Sequence, residues 1–397
     1  VRVPTKVASW GPQQILLDHL ISLVMAHLRP VQLLRVYNFS TRASAPTGSL
    51  DDVVDSLLAK VEASGGSRSN IVAFSGGVDS SLVAALVYRA FPASTTAVLG
   101  LSAALPAAQL ELARGVAAHL GVPLREVATG EAQREGYVRN SGEACFHCKT
   151  ELYSTLEAVA RVAGAEEFTA SEEGGTGPAA SSSHQPSPHP SSSSLAPGGG
   201  GGGFGGQVGV VEGGLLDGGA ATSDSSASSS SSSSGGGGGR RAVVLFNGTN
   251  ADDRTDPTRV GLRAAANFGV ASPIEALSKA EVRLVARHMG LPNWRHAASP
   301  CLRSRLALGV LATDEALARV EAAEELVRGA LGGALGVDGN LRVRTLAKRR
   351  AVIEVDLALL EAAAVHTLGD PAFVEKLLSL GFKAVDLRPF KSGSVSI

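Results

Sequence analysis

The stretch IVAFSGGVDSSLVAALVYRA, residues 71–90, constrains this chain more than any other: a short apolar run, two glycines among three serines and an aspartate, then a helix-compatible segment. A glycine pair between strand and helix lets the backbone approach an anion closely, and the first-turn N–H groups with the helix dipole then hold phosphate oxygens. Ser75, Gly76, Gly77, Ser80 and Ser81 form that cradle, the serines adding hydroxyl donors. Asp79 is unexpected beside a bound anion unless it caps the helix or meets a metal ion, such as magnesium, that bridges to the phosphates. The lysine of G-x-x-x-x-G-K-S/T is missing, which excludes a Walker loop. A generic glycine-rich strand-to-helix turn is the plainer alternative.

Apolar runs recur at the spacing of a parallel sheet. IVAF (71–74), TTAVLGL (95–101), VPLREVA (122–128) and VVLFN (243–247) read as buried strands, with helical stretches at 80–90, 106–120 and 150–165 between them. That alternation predicts an α/β fold, a parallel sheet with helices on both faces. Ser278 and Glu281 form a capping-box pair at the start of SKAEVRLVARHMG, and Gly290 with Pro292 stops that helix. Beyond Gly309 the texture changes: Leu317, Val320, Val327 and Leu331 make one helical face, LRVRTL and AVIEVD look like paired strands, and PAFVEKLLSLGF is a helix before KAVDL. The predicted layout is an extension over 1–48, an α/β domain over 49–311 and a small α+β domain over 312–397. Between 173 and 239 the α/β domain is interrupted by Ser and Gly tracts with too little apolar surface to repay their ordering entropy, so a disordered insertion is expected.

Charge and cysteine usage narrow the function. Thirty-six basic against 37 acidic residues give a net charge of −1, so neither a nucleic acid nor an anionic membrane is an expected partner. The greasiest early stretch, QQILLDHLISLVMAHL, is interrupted by Asp18, His19 and His27, and no membrane span is predicted. Three cysteines, an odd number, do not make a secreted disulfide framework, and a reducing, intracellular location is expected. Residues 1–48 set Arg2, Lys6, Arg29, Arg35 and Arg42 against the single acid Asp18, the bias of a plastid or mitochondrial transit peptide; an irregular extension is the other reading.

The cysteines form two islands, EACFHCKTELY with Cys145 and Cys148, and SPCLRSR with Cys301. A structural zinc site would need a fourth ligand such as His147. A dithiol redox pair is a second possibility. A four-iron four-sulfur cluster is a third: held by three thiolates it keeps one iron without a protein ligand, which can carry an extra sulfide. Asn250, Asp252 and Asp253 follow the VVLFN strand, where ligands gather in α/β sheets, and are candidate nucleotide or magnesium contacts or else a solvated turn. Arg342 and Arg344 alternate onto one strand face, where two guanidinium forks suit a substrate phosphate. Trp294 and Tyr153 are read as packing residues.

SGGVDSS resembles the pyrophosphate loop of the PP-loop ATP pyrophosphatases, which cleave ATP between the α and β phosphates and adenylate a substrate oxygen. More narrowly, AFSGGVDSSLV, EACFHCKTELYSTL, NGTNADD, GLRAAANFGV, SPIEALSKAEVRLVARHMGLPNW, SPCLRSR and GFKAVDLRPFKSGSV are similar, in this order, to the LarE family of ATP-dependent sulfur transferases. The resemblance spans about 50–170 and 242–397. It implies ATP and magnesium as cofactors, a pyridinium dicarboxylate mononucleotide as the small-molecule substrate, and a thiocarboxylate product that feeds a nickel-pincer cofactor of lactate racemase. By position it assigns the ATP pyrophosphate to Ser75, Gly76, Gly77, Asp79, Ser80 and Ser81, and the sulfur-handling role to Cys301. Some members sacrifice one cysteine, whereas those with the full trio carry the four-iron cluster; Cys145, Cys148 and Cys301 match the second type. Ala144, Arg303 and the segment TDPTRVGL depart from the family's usual residues. A homo-oligomer is expected, with the sulfur donor unspecified. A PP-loop tRNA thiolase and a non-catalytic ATP- or metal-binding module are the competing functions, the first disfavoured by the balanced charge.

Overall fold

The computed structural model describes residues 49–65, 69–172, 243–256 and 259–391, with side-chain surroundings in its longest helix described as far as residue 161. The predicted N-terminal extension and the Ser/Gly insertion lie outside the described residues. What is described on either side of that insertion belongs to one compact unit.

Helix α1 (Leu50–Ser64), which the strand–helix alternation does not predict, starts at a capping box in which Ser49 and Asp52 each satisfy the other's backbone N–H. Then follow β1 (Ser69–Phe74), α2 (Val78–Ala90), β2 (Thr95–Leu101), α3 (Ala107–Leu120) and β3 (Leu124–Ala128). After a short helix α4 (Glu135–Val138) comes α5 (Ala144–Glu172), and beyond the insertion β4 (Val243–Phe246), α6 (Ala251–Thr255), α7 (Gly261–Asn267) and α8 (Lys279–His288). Helix α5 begins six residues before the predicted 150. That difference puts both Cys145 and Cys148 inside its first turns rather than in a loop.

The four strands are parallel, as the sequence pattern predicts, and lie in the order β3-β2-β1-β4. Period-two alternation divides their side chains. Val72, Phe74, Ala97, Leu99, Val244 and Phe246 meet the apolar faces of α1, α2, α3 and α8, while Ile71, Val98 and Leu245 face Tyr153, Leu156, Ala264 and Ala265 of α5 and α7. Burying both faces explains the near-continuous apolar strands, each fully buried large side chain contributing roughly 1.5–3 kcal/mol. Helix α8 carries the predicted capping box, Ser278 with Glu281, and Gly290 turns the chain away at φ +76°.

The C-terminal part comprises α9 (Asp314–Leu331), β5 (Leu341–Leu346), β6 (Arg350–Val355), α10 (Leu360–Ala363), a π-helical turn at Ala364–Leu368, α11 (Pro371–Ser379) and β7 (Ala384–Pro389). Strand β6 pairs antiparallel with β5 and parallel with β7. Leu341, Val343, Ala351, Ile353 and Val355 pack beneath α9 and α11, so the opposite face presents Arg342, Arg344 and Glu354. That polar face meets the segment leading through Cys301: Leu306 bridges to Thr345, and the Ala307 N–H donates to the Thr345 carbonyl at 2.9 Å. Among the described residues no single helix is long and apolar enough to cross a membrane.

Candidate active site

From β1 the sheet grows one way through β2 and β3 and the other way to β4, so the carboxyl ends of β1 and β4 border the crevice where α/β folds bind ligands. The SGGVDSS loop leaves β1 there. Gly76 has φ +68°, and a Cβ on it would lie 2.6 Å from the Ala113 Cα, so no other residue fits without moving α3. Gly77 is the N-cap of α2 and caps it with no side chain, which leaves first-turn N–H groups for an incoming anion. The serines shape the loop: Ser80 and Ser81 hydroxyls donate to the Gly77 carbonyl at 3.0 and 2.9 Å, and the Ser75 and Ser80 hydroxyls lie 3.1 Å apart. Two residues clamp the loop from outside. Gln109 Nε2 donates to the Ser75 carbonyl at 2.6 Å, and Asn293 Nδ2, 1% exposed, donates to the Gly76 carbonyl at 2.7 Å and to Ser81 Oγ at 2.9 Å.

The NGTNADD loop after β4 rides directly on this turn, since a Cβ on Gly248 would sit 2.7 Å from backbone atoms of Asp79 and Ser80. Asp79 does not cap its own helix. Its carboxylate accepts from Asn250 Nδ2 at 3.3 Å and pairs with the Lys279 ammonium. Lys279 is a cation at the phosphate loop that motif reading passes over, because the capping box reveals where α8 starts and not what it points at. Asn250 and Asp253 form the capping box of α6, Asp253 pairs with Arg259 at 2.7 Å, and the Asp252 carboxylate accepts from the Lys279 N–H at 3.0 Å. Asn250 therefore touches the phosphate loop, whereas Asp252 and Asp253 hold the local turn together. Asp79 thus stands at the start of α2, its carboxylate held between Asn250 and Lys279.

The cysteines gather at the carboxyl edge of the same sheet. Cys145 and Cys148 stand one turn apart on α5, whose N-terminus follows the β3 exit. Cys301 is carried there by backbone links: the Leu302 N–H donates to the Ala104 carbonyl beyond β2 at 2.8 Å, Gly309 N–H to Asn140 at 3.0 Å and Ala312 N–H to Val138 at 2.9 Å. Cys148 and Cys301 pack in one cluster with Tyr137, Ala144 and Leu302. Arg303 Nη2 reaches Cys145 Sγ at 2.6 Å while its Nη1 donates to Asn140 Oδ1 at 2.9 Å. Burial pushes the Cys145 thiol up, partly opposed by the Arg303 charge; burial pushes Cys148 up to about 12, and charge on Cys301 would add to both. Such mutual influence places all three thiols within electrostatic reach of one another.

Among the described residues no three His, Cys, Asp or Glu side chains converge closely enough to hold a single metal ion. The zinc reading with His147 accordingly loses its support; the His147 ring lies against Gly136 instead, where a Cβ would meet Nε2 at 2.2 Å. Three thiols with the Arg303 and Lys149 cations beside them are the donor set a larger thiolate-held group would use, against a burial that favours the neutral form of Cys145 and Cys148.

The predicted arginine pair is buried on the polar face of β5. Arg344 is bound to Glu354 at 2.8 Å and donates to the Ser304 carbonyl at 2.8 Å. Arg305, which motif reading also missed, pairs with Glu324 at 2.8 Å and donates to the Cys301 carbonyl at 3.1 Å. Arg342 donates to the Leu341 and Ala298 carbonyls and lies over the Phe390 ring, and no carboxylate pairs with it among the described residues. Burial, then the neighbouring Arg305 charge, lowers its pKa to about 10. Arg388 donates to Glu354 as well, at 2.8 and 2.6 Å, so four guanidinium groups stand around Glu324 and Glu354, and among the described residues Arg342 is the one with no carboxylate at ion-pair distance. Tyr153 packs as expected, with its hydroxyl accepting from Asn247 Nδ2 at 3.0 Å.

Residues 49–151 match the family model described as NAD synthase. An uncharacterized protein of Synechocystis sp. is 27% identical over 260 residues, 65% of this chain and 68% of that protein. The pyridinium-3,5-bisthiocarboxylic acid mononucleotide synthase of Lactiplantibacillus plantarum is 30% identical over 164 residues, 39% of this chain and 54% of the synthase, so about half of that relative is spanned. The parallel sheet with its glycine-serine loop at the switch point is the architecture of a PP-loop domain, and these matches support an ATP-utilising enzyme of amide- or sulfur-transferring type.

Proposed function

We propose that this enzyme is an ATP-dependent sulfur transferase that adenylates a carboxylate of a pyridinium-3,5-dicarboxylate mononucleotide, releases pyrophosphate, and converts the carboxylate to a thiocarboxylate for nickel-pincer cofactor biosynthesis. One observation carries the reading: the phosphate loop and all three cysteines sit at the carboxyl edge of one sheet. The name of the 30% identical relative supports the substrate.

The N–H groups of Gly77 and the first turn of α2 receive the pyrophosphate portion of ATP, with Lys279 adding positive charge beside Asp79. Magnesium held through Asp79 would offset charge on the leaving group. A substrate carboxylate oxygen attacks the α-phosphorus, the bond to the bridging oxygen breaks, and pyrophosphate departs with the electron pair. Sulfur of a hydrosulfide-equivalent donor then attacks the acyl carbon, AMP leaves with the electrons of the C–O bond, and one proton is released. Cys301, with Cys145 and Cys148, is assigned the delivery of that sulfur. A four-iron four-sulfur cluster on the three thiolates would supply a replaceable sulfur nucleophile. Arg342 is assigned the mononucleotide phosphate, because its guanidinium has charge to spare, and Arg344 fixes the Ser304 carbonyl nearby.

Anaerobic protein given ATP, magnesium, sulfide and the pyridinium dicarboxylate mononucleotide is expected to release pyrophosphate and AMP and to form a thiocarboxylate, detected by mass spectrometry. Pyrophosphate release without sulfur incorporation would defeat the proposal.

A further inference from the structure

Beside the three thiols stand two buried polar groups with nothing to bond. Tyr137 is 2% exposed and Glu131 is 3% exposed, yet Tyr137 Oη and Glu131 Oε2 have no hydrogen-bond partner. Native proteins rarely leave such atoms orphaned, since each has lost bulk water and gained nothing, and the partner is an ordered water, an ion or a ligand. Neither atom is an accident of a loose segment. Tyr137 belongs to α4, whose turn is closed by the Tyr137 N–H to the Arg134 carbonyl at 2.9 Å, while the Arg134 N–H donates to the Glu131 carbonyl at 3.0 Å. Just beyond, Val138 and Asn140 are joined to Ala312 and Gly309 by the backbone links that also fix the Cys301 segment, and buried Asn140 donates to the Ala307 and Val310 carbonyls at 3.0 and 3.1 Å. The phenol and Cys301 are therefore held in one frame, within the apolar cluster that also contains Cys148. Charges on Cys301, Cys148 and Glu131 all bear on the Tyr137 hydroxyl, and those on Cys301 and Glu131 bear on Cys148.

We propose that Tyr137 and Glu131 form a binding site for a terminal S–H group in the thiol pocket, Tyr137 donating its Oη–H to the sulfur and Glu131 Oε2 accepting the S–H hydrogen. The match is one of inventory. A hydrosulfide or persulfide sulfur accepts through its lone pairs and offers a single weak donor, and the pocket leaves one donor and one acceptor unused. Arg303, on Cys145, supplies positive charge to offset an anionic sulfur. Tyr137 is thus a positioning residue for the sulfur that attacks, a role that deepens the proposed sulfur transfer and rests on it for its place in the reaction, although the binding itself is separately testable.

Three proteins decide it: the unaltered full chain, Tyr137→Phe and Glu131→Gln, each prepared anaerobically and free of transition metals, with magnesium added for turnover. Excess sodium sulfide raises the thermal midpoint of the unaltered chain by mass action, and both variants lose that rise. Without sulfide, Tyr137→Phe melts at the same temperature or higher, because it deletes an unpaired hydroxyl and keeps the ring. In turnover with sulfide as donor, thiocarboxylate formed per pyrophosphate released drops about tenfold or more in Tyr137→Phe, with the KM for sulfide rising more than kcat falls. Polysulfide in place of sulfide tests a persulfide on Cys301: the thiolate takes one sulfane sulfur, the shortened polysulfide leaves with the electron pair, and the added sulfur mass survives desalting, whereas sulfide alone adds no mass and marks free hydrosulfide. A Tyr137→Phe protein that keeps its sulfide response and its coupling ratio overturns the proposal, and so does one that melts lower without sulfide, which would mark the hydroxyl as a structural anchor. A sulfide response in the unaltered chain with no thiocarboxylate formed rejects the reaction while leaving the S–H site standing.

Discussion

Replacing Asn293 tests whether the phosphate loop is held in shape from outside. Its Nδ2 donates to the Gly76 carbonyl at 2.7 Å and to Ser81 Oγ at 2.9 Å, while its Oδ1 has no partner. The residue is therefore kept for its donors. In Asn293→Ala the Ser81 hydroxyl stays satisfied, since it donates to the Gly77 carbonyl at 2.9 Å, but the Gly76 carbonyl loses its partner inside the protein. Two hydrogen bonds at roughly 1 kcal/mol each, plus part of the 1–3 kcal/mol for an orphaned carbonyl, total about 2–4 kcal/mol. Against a typical domain stability of about 5–15 kcal/mol this is a large fraction, and at roughly 2–4 °C per kcal/mol it lowers the melting temperature by roughly 5–15 °C.

Asn293→Asp separates bonding from packing. The shape is kept, but an oxygen now faces the Gly76 carbonyl oxygen where a donor stood, so the isosteric variant should destabilise at least as much as Asn293→Ala. Urea denaturation gives the stability, and calorimetric titration gives the ATP affinity, which should fall in both because the loop relaxes from its +68° turn. An Asn293→Asp protein within about 0.5 kcal/mol of the parent, binding ATP equally well, refutes the clamp.

Three further outcomes follow from the same geometry. Gly76→Ala meets both a left-handed φ and a 2.6 Å approach to Ala113, and should keep the fold while losing at least about tenfold in ATP affinity by calorimetry. Lys279→Met removes the cation beside Asp79 and should raise the KM for ATP about tenfold in a pyrophosphate-release assay, with Lys279→Arg recovering part of the loss. Arg303→Ala removes the charge that opposes burial at Cys145, so that thiol's pKa rises further and the pH midpoint of its iodoacetamide alkylation, followed by peptide mapping, moves upward; a midpoint that stays put or falls removes Arg303 from the thiol's electrostatics.

The parallel strands could be anticipated because those buried on both faces write continuous apolar runs, and the SGGVDSS turn declared its own helix junction. Side-chain destinations were less legible. Lys279 and Asn293 act across separations of 200 and 217 residues, on Asp79 and Gly76, and no local period encodes such pairs. The helix start at Ala144 was also hidden, since the Cys-Phe-His-Cys run has neither a strong propensity nor a clear cap and is carried by packing against Leu302 and Tyr137. Arg342 and Arg344 were correctly placed on one face by alternation, but alternation is blind to Glu354, which forms ion pairs with Arg344 and Arg388 and none with Arg342.

That asymmetry bears on why the small C-terminal sheet accompanies the nucleotide-binding one. The Cys301 segment takes its backbone partners from both sides: Ala104 of the parallel sheet's edge, and Thr345 of β5 through Ala307. Its own carbonyls, at Ala298, Cys301 and Ser304, accept from Arg342, Arg305 and Arg344, so the sulfur is aimed by buried cations rather than by apolar packing alone. Arginines of this kind are costly to bury unless each is paired, and an apolar replacement would hold a loop as well. A guanidinium without a carboxylate partner beside the Cys301 segment makes physical sense where an anion completes the set, and under the proposed reaction that anion would be the substrate's, tying its binding to the placement of Cys301.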